Sequence, residues 1–162
     1  MTGQPRPITE AELAGVVGGA GERDGQAPPQ AGREINGSSD NDVIFGGTGD
    51  DTIQAGDGND AIFAGQGADL IDAGTGDDRI YWNPAQGEDT IEGGAGQDML
   101  VVNNYEASPQ EILDSIVLAP GSAAPFLDPE TGVISLQGVS GTLTLGGTTL
   151  TFSGLERLVI LA

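Results

Sequence analysis

The sequence predicts an all-β protein built as a solenoid of two facing sheets, and three observations predict it. Seven blocks of nine residues run from Gly37 to Val101, with two extra residues, Trp82 and Asn83, between the fifth and the sixth. The eighth place of every block is a branched aliphatic: Ile44, Ile53, Ile62, Ile71, Ile80, Ile91 and Leu100. The sixth place is aspartate in all seven blocks, and the fourth is glycine in six, Asp40 being the exception.

Places seven to nine form a very short strand, with the aliphatic pointing to one face and its neighbours to the other. The first six places, rich in glycine and acid, form a turn that uses positive φ and exposes backbone carbonyls. Each block is therefore half a coil, and successive strands fall on opposite sheets. The aliphatic column fills the space between them. Turns stacked along each edge bring together aspartates and carbonyls from blocks two apart, an oxygen-only cage suited to a hard cation of calcium's size. A disordered acidic linker has no reason to place an aliphatic every ninth residue. A solenoid without metal would crowd seven aspartates together with no counter-charge.

Blocks such as GGTGDDTIQ and AGTGDDRIY resemble the GGxGxDxUx nonapeptide of the RTX, or haemolysin-type calcium-binding, family, and the resemblance covers residues 37–101 closely. It implies a parallel β-roll in which aspartates and main-chain carbonyls hold calcium between successive turns. Carried over by column, one edge has Asp42, Asp60, Asp78 and Asp98, and the other Asp51, Asp69 and Asp89. The turn glycines are Gly47, Gly49, Gly56, Gly58, Gly65, Gly67, Gly74, Gly76, Gly94 and Gly96. Adjacent aspartates along the edges give up to five Ca2+ sites. Ser38 and Asp40 in the first block, and Pro84 and Ala85 in the sixth, depart from the pattern, so sites using Asp42 or Asp89 fit it least well.

Composition narrows the function. The 162 residues carry 25 acids against 5 bases, a net charge of -20, with no histidine, lysine or cysteine. A Ser-His-Asp triad, a thiol nucleophile, a Schiff-base lysine and a His/Cys zinc site are excluded, and disulfides are impossible. Phosphate backbones would be repelled, so no nucleic-acid partner is expected. No apolar run reaches the roughly 18 residues of a membrane helix, so no membrane insertion is expected. A carboxylate-based hydrolase lacks a convincing acid pair outside the repeats, and the chain is read as a non-enzyme.

Places seven and nine point outward. In odd blocks they are Val43/Phe45, Ala61/Phe63, Arg79/Tyr81 and Met99/Val101, and in even blocks Thr52/Gln54, Leu70/Asp72 and Thr90/Glu92. The odd sheet's outer face is expected to be covered, by the rest of the chain or by a partner or second copy. Residues 102–162 supply the candidate cover, a β-rich cap. Ser108-Pro109-Gln110-Glu111 is a capping box opening a short helix through Asp114. Gly132–Leu136 and Leu155–Leu161 read as strands. Gly146-Gly147 between Leu143–Leu145 and Thr148–Phe152 signals a hairpin. The stretch GTLTLGGTTLTFSGLERLVI is similar to tails that follow RTX repeats in secreted bacterial proteins, which cap the roll and can contain an export signal.

Residues 1–19 contain ITEAELAGVVGG, which resembles a double-glycine, bacteriocin-type leader. That resemblance implies docking as an amphipathic helix on an ABC-type exporter with a leader peptidase, and cleavage after Gly18-Gly19. An ordinary amphipathic helix ending at glycines is the plainer alternative, and no apolar run of Sec-signal length follows a basic start. Residues 20–36 read as a flexible spacer. The expectation is a secreted, extracellular bacterial β-roll that folds on binding Ca2+ after type I export. The alternative is an adhesin, biofilm-matrix or surface-layer module with structural calcium, self-associating through the apolar sheet or the C-terminal region. A bacteriocin is suggested by the leader alone.

Overall fold

The computed structural model describes residues 31–161. The leader with its Gly18-Gly19 cleavage point, and the spacer up to residue 30, lie outside the described residues.

Eight short strands form the roll. β1 (Glu34–Asn36), β3 (Thr52–Gln54), β5 (Leu70–Asp72) and β7 (Thr90–Glu92) stack in parallel on one side. β2 (Val43–Thr48), β4 (Ala61–Gln66), β6 (Arg79–Trp82) and β8 (Met99–Asn103) do so on the other. The aliphatic column sets the register. Ile35, Ile53, Ile71 and Ile91 are successive partners in the first sheet, as are Ile44, Ile62, Ile80 and Leu100 in the second. All eight are at most 4% exposed. A one-residue slip would turn these side chains out to water and bring Thr52 or Asp72 inside, so burial holds the pairing. The chain is the parallel β-roll that its nonapeptides predict.

The ladder starts earlier than Gly37, because β1 pairs with β3. Ile35 stands nine residues before Ile44, so the same period carries this half-coil. Arg33 occupies the place that aspartate holds elsewhere, which conceals the block from a search on the acidic column.

After the roll, α1 (Pro109–Asp114) opens on the expected capping box. The Ser108 hydroxyl accepts from the Glu111 amide, and the Glu111 carboxylate accepts from the Ser108 amide. β9 (Ile116–Leu118) and β10 (Phe126–Leu127) flank β11 (Ile134–Leu145), which forms a hairpin with β12 (Thr148–Leu161). The two turn residues, Gly146 (φ 60°) and Gly147 (φ 89°), both take positive φ, which suits the twist of a two-residue hairpin. The strands expected at Thr148–Phe152 and Leu155–Leu161 are one strand. β12 pairs with β7 through Thr151–Ser153 and with β8 through Arg157–Leu161. It is thus the last coil of both sheets, and it covers edges that would otherwise invite another strand.

One expectation is corrected. The outer face of the β2–β4–β6–β8 sheet is not covered by the C-terminal third: Val43 is 61% exposed and Phe45 47%. The cap instead extends the roll along its axis, where Leu136, Leu143, Leu150, Phe152 and Leu158 continue the buried core between the sheets. Phe45, Phe63 and Tyr81 shield one another, stacked with centroids 4.9 and 4.2 Å apart. The opposite sheet also exposes Leu70. Among the described residues no helix is long and apolar enough to cross a membrane.

The packing makes a contrast that urea denaturation in calcium can measure. Ile62→Ala, at the centre of the roll, is expected to cost about 2–5 kcal/mol. Val43→Thr, on the open face, is expected to stay within about 0.5 kcal/mol.

Candidate metal centre

Along each edge the sixth-place aspartates lie inside the stack. Asp51, Asp60, Asp69, Asp78, Asp89 and Asp98 are at most 3% exposed, an unusual place for carboxylates. One oxygen of each is occupied by the coil before it. The Asp42 amide donates to Asp60 Oδ1 (2.7 Å), the Asp60 amide to Asp78 Oδ1 (2.7 Å) and the Asp78 amide to Asp98 Oδ1 (2.9 Å). On the other edge the Arg33 amide donates to Asp51 Oδ1, Asp51 to Asp69 and Asp69 to Asp89. The two edges hold the residues expected of each from the sequence.

The second oxygen is the unusual one. Oδ2 of Asp51, Asp60, Asp69, Asp78 and Asp98 is buried and has no hydrogen-bond partner among the described residues. Asp42 differs: Ser38 fills its Oδ2 with an amide (2.7 Å) and a hydroxyl (2.9 Å). The block that departs from the pattern thus satisfies its own carboxylate.

Backbone carbonyls of the same turns lie close against the adjacent coil. The ten turn glycines all have φ between 95° and 150°, a region that side chains disfavour. Their second constraint is closeness: a Cβ on Gly67 would strike the Gly49 carbonyl, and one on Gly76 the Gly58 carbonyl. The carbonyls of Gly49, Gly58, Gly67 and Gly76 take no hydrogen bond from the described residues. Those of Gly56 and Gly74 each already accept one from the next coil. Among the described residues no three acidic side chains converge on one point. A cation here would therefore take one or two carboxylates and draw its other oxygens from carbonyls and water, a donor set that fits calcium and does not fit zinc.

A second ladder escaped the reading of the sequence. The fifth place carries Asn41, Asp50, Asn59 and Asp77, and their side chains accept from the fifth-place amide one coil on, at 2.8–2.9 Å. It runs opposite to the aspartate ladder, so adjacent coils are tied in both directions. The signal was present as an Asn/Asp excess in that column, interrupted by Ala68, Glu88 and Gln97.

The fold and the oxygen columns define a class, the nonapeptide β-roll with cation-seeking edges. Residues 36–71, 63–81 and 85–103 match the RTX calcium-binding nonapeptide repeat, in four copies. The nonapeptides of the roll are repeats of that type. No curated protein and no solved structure matches the chain.

Burial raises the pKa of Asp60, Asp69 and Asp78, helped by the aspartate of the preceding coil. Burial likewise lifts Asp89 and Asp98 from the ordinary 3.8 to about 6. A carboxyl raised in the folded state stabilises the fold below its unfolded pKa and ceases to do so as pH rises through its folded pKa. Calcium-depleted protein is therefore expected to show more β signal in far-ultraviolet circular dichroism at pH 5 than at pH 7.5. A signal larger at pH 7.5 would contradict the burial of these groups.

Proposed function

We propose that this chain is a secreted, extracellular bacterial protein whose roll folds on binding several Ca2+ ions after type I export. The observation that carries the reading is the set of five buried carboxylate oxygens without partners. Removing a buried charge's partner costs about 3–5 kcal/mol. Five such costs would match or exceed the roughly 5–15 kcal/mol of net stability that a domain has. A divalent cation between coils removes that cost and adds carbonyl ligation, so binding free energy becomes folding free energy. Extracellular calcium modules work at about 10⁻⁴–10⁻³ M. In low cytosolic calcium the same repulsion would keep the chain unfolded and threadable through an exporter.

The ligands in this reading are Asp51, Asp60, Asp69, Asp78 and Asp98, with carbonyls of the turn glycines. Asp42 and Asp89 end their columns and contribute less. The double-glycine segment supports an ABC-type exporter with a leader peptidase as the route out, with cleavage after Gly19.

Calcium titration of chelator-treated protein, followed by far-ultraviolet circular dichroism, tests the reading. The β signal should appear with calcium and vanish on chelation, and an unchanged spectrum in chelator would sink the proposal. In the same titration Asp78→Asn should need more calcium to fold, by about tenfold, yet show no less β signal than the parent in chelator, because it removes an uncompensated buried charge.

A second reading has the exposed Val43, Phe45 and Leu70 in its favour. Here calcium is structural and the roll is an adhesin, matrix or surface-layer module that associates through its open face. Light scattering in calcium separates the two. Association abolished by Phe45→Ser supports the module, and a monomer at every concentration removes it.

A further inference from the structure

Outside the nonapeptides, one place in the cap repeats the chemistry of the aspartate column. Arg157 and Leu158 of β12 pair with Met99 and Leu100 of β8. Glu156 therefore stands where each nonapeptide has its aspartate. The Asp98 amide donates to Glu156 Oε2 at 2.7 Å, just as each aspartate amide of this edge donates to the aspartate one coil on. The stretch of β12 that crosses from β7 to β8, Gly154 to Glu156, has three residues where a nonapeptide turn has six, and glutamate's extra methylene lets the carboxylate reach the same position.

Asp98 completes the likeness from the other side. The Asp78 amide occupies its Oδ1, while its Oδ2, on a residue with 0% exposure, has no partner. A Cβ on Gly93 would meet the Gly154 carbonyl and lie 3.0 Å from Asp98 Oδ2. Those two oxygens therefore flank one small space that glycine leaves open. Glu156 also lines a groove of about 420 Å³ together with Gln97, Asp128 and Arg157.

We propose that Asp98 Oδ2, the Gly154 carbonyl and the oxygen of Glu156 not bonded to the Asp98 amide form a calcium site beyond the repeats, which fastens β12 to the roll. Without an ion, two carboxylates meet across the junction of roll and cap and repel each other. With one, the last coil is held as the others are. Closure of the roll's end is then calcium-dependent, although the sequence that closes it is not a repeat. The inference rests on the calcium reading of the roll.

The test counts bound calcium by native mass spectrometry, and follows protection of residues 148–161 by hydrogen exchange, in the parent chain and in Glu156→Gln. Glutamine keeps an acceptor for the Asp98 amide but loses the charge. The site predicts one ion fewer, and about tenfold more calcium to protect residues 148–161, with residues 61–81 unchanged. The full number of ions with unchanged protection would overturn it. So would a Glu156→Gln chain that fails to fold at any calcium concentration, because Glu156 would then support the fold independently of an ion. A parent chain that binds no calcium would instead refute the reading of the roll itself.

Discussion

The structure depends on how a stack of carboxylates is tolerated inside a protein. Each sixth-place aspartate from Asp51 to Asp98 has one oxygen bound to the amide of the preceding coil, and five of them have a second oxygen buried with no partner among the described residues. The first oxygen makes the aspartate part of the backbone ladder. The second makes the ladder costly unless a cation is present. Every other feature of the roll serves to hold that column in place: isoleucines that lock the register, glycines that let carbonyls approach the next coil, and an opposed Asn/Asp ladder that ties the coils the other way.

The same arrangement explains how so acidic a chain has a compact core. The aliphatic column gives each half-coil one large buried side chain, joined in places only by an alanine such as Ala55 or Ala73 or by Trp82, which is little per nine residues and leaves the roll short of hydrophobic stabilisation. With no cysteine, no disulfide supplements it. In the proposed reading, cation binding at the edges supplies the rest, and it acts where repulsion is greatest. The ends are treated unequally. At the start, Arg33 replaces an aspartate and Ser38 satisfies Asp42, so the outermost half-coils need less from a metal. At the other end, β12 lies across both sheets and supplies Glu156 to the column.

Most of the roll was legible because the period is carried by side chains that face the interior. Ile44 to Leu100 recur every ninth residue apart from the insertion of Trp82 and Asn83, and burial maintains that spacing. The assignment of Asp42, Asp60, Asp78 and Asp98 to one edge, and of Asp51, Asp69 and Asp89 to the other, follows from the same count. Less legible were features in which a different residue does the same job. Arg33 fills the aspartate's place with its amide, which donates to Asp51, while its guanidinium donates to the Phe45 carbonyl, so its charge misleads. Glu156 lies within the long strand β12, so the nine-residue count cannot find it. The open face around Val43 and Phe45 was misread because outward apolar residues suggest a cover, whereas the cap buries its own apolar residues by prolonging the core along the axis. The partnerless state of the Oδ2 atoms is a matter of three-dimensional crowding that no column of letters displays.

The central claim is that calcium occupies the gaps faced by the partnerless oxygens. The most direct measurement is a crystal structure of protein grown in calcium, with ions located by their anomalous scattering. The account predicts ions against Oδ2 of Asp51, Asp60, Asp69, Asp78 and Asp98, in contact with turn carbonyls. A folded roll at neutral pH with no ion at these oxygens would contradict it.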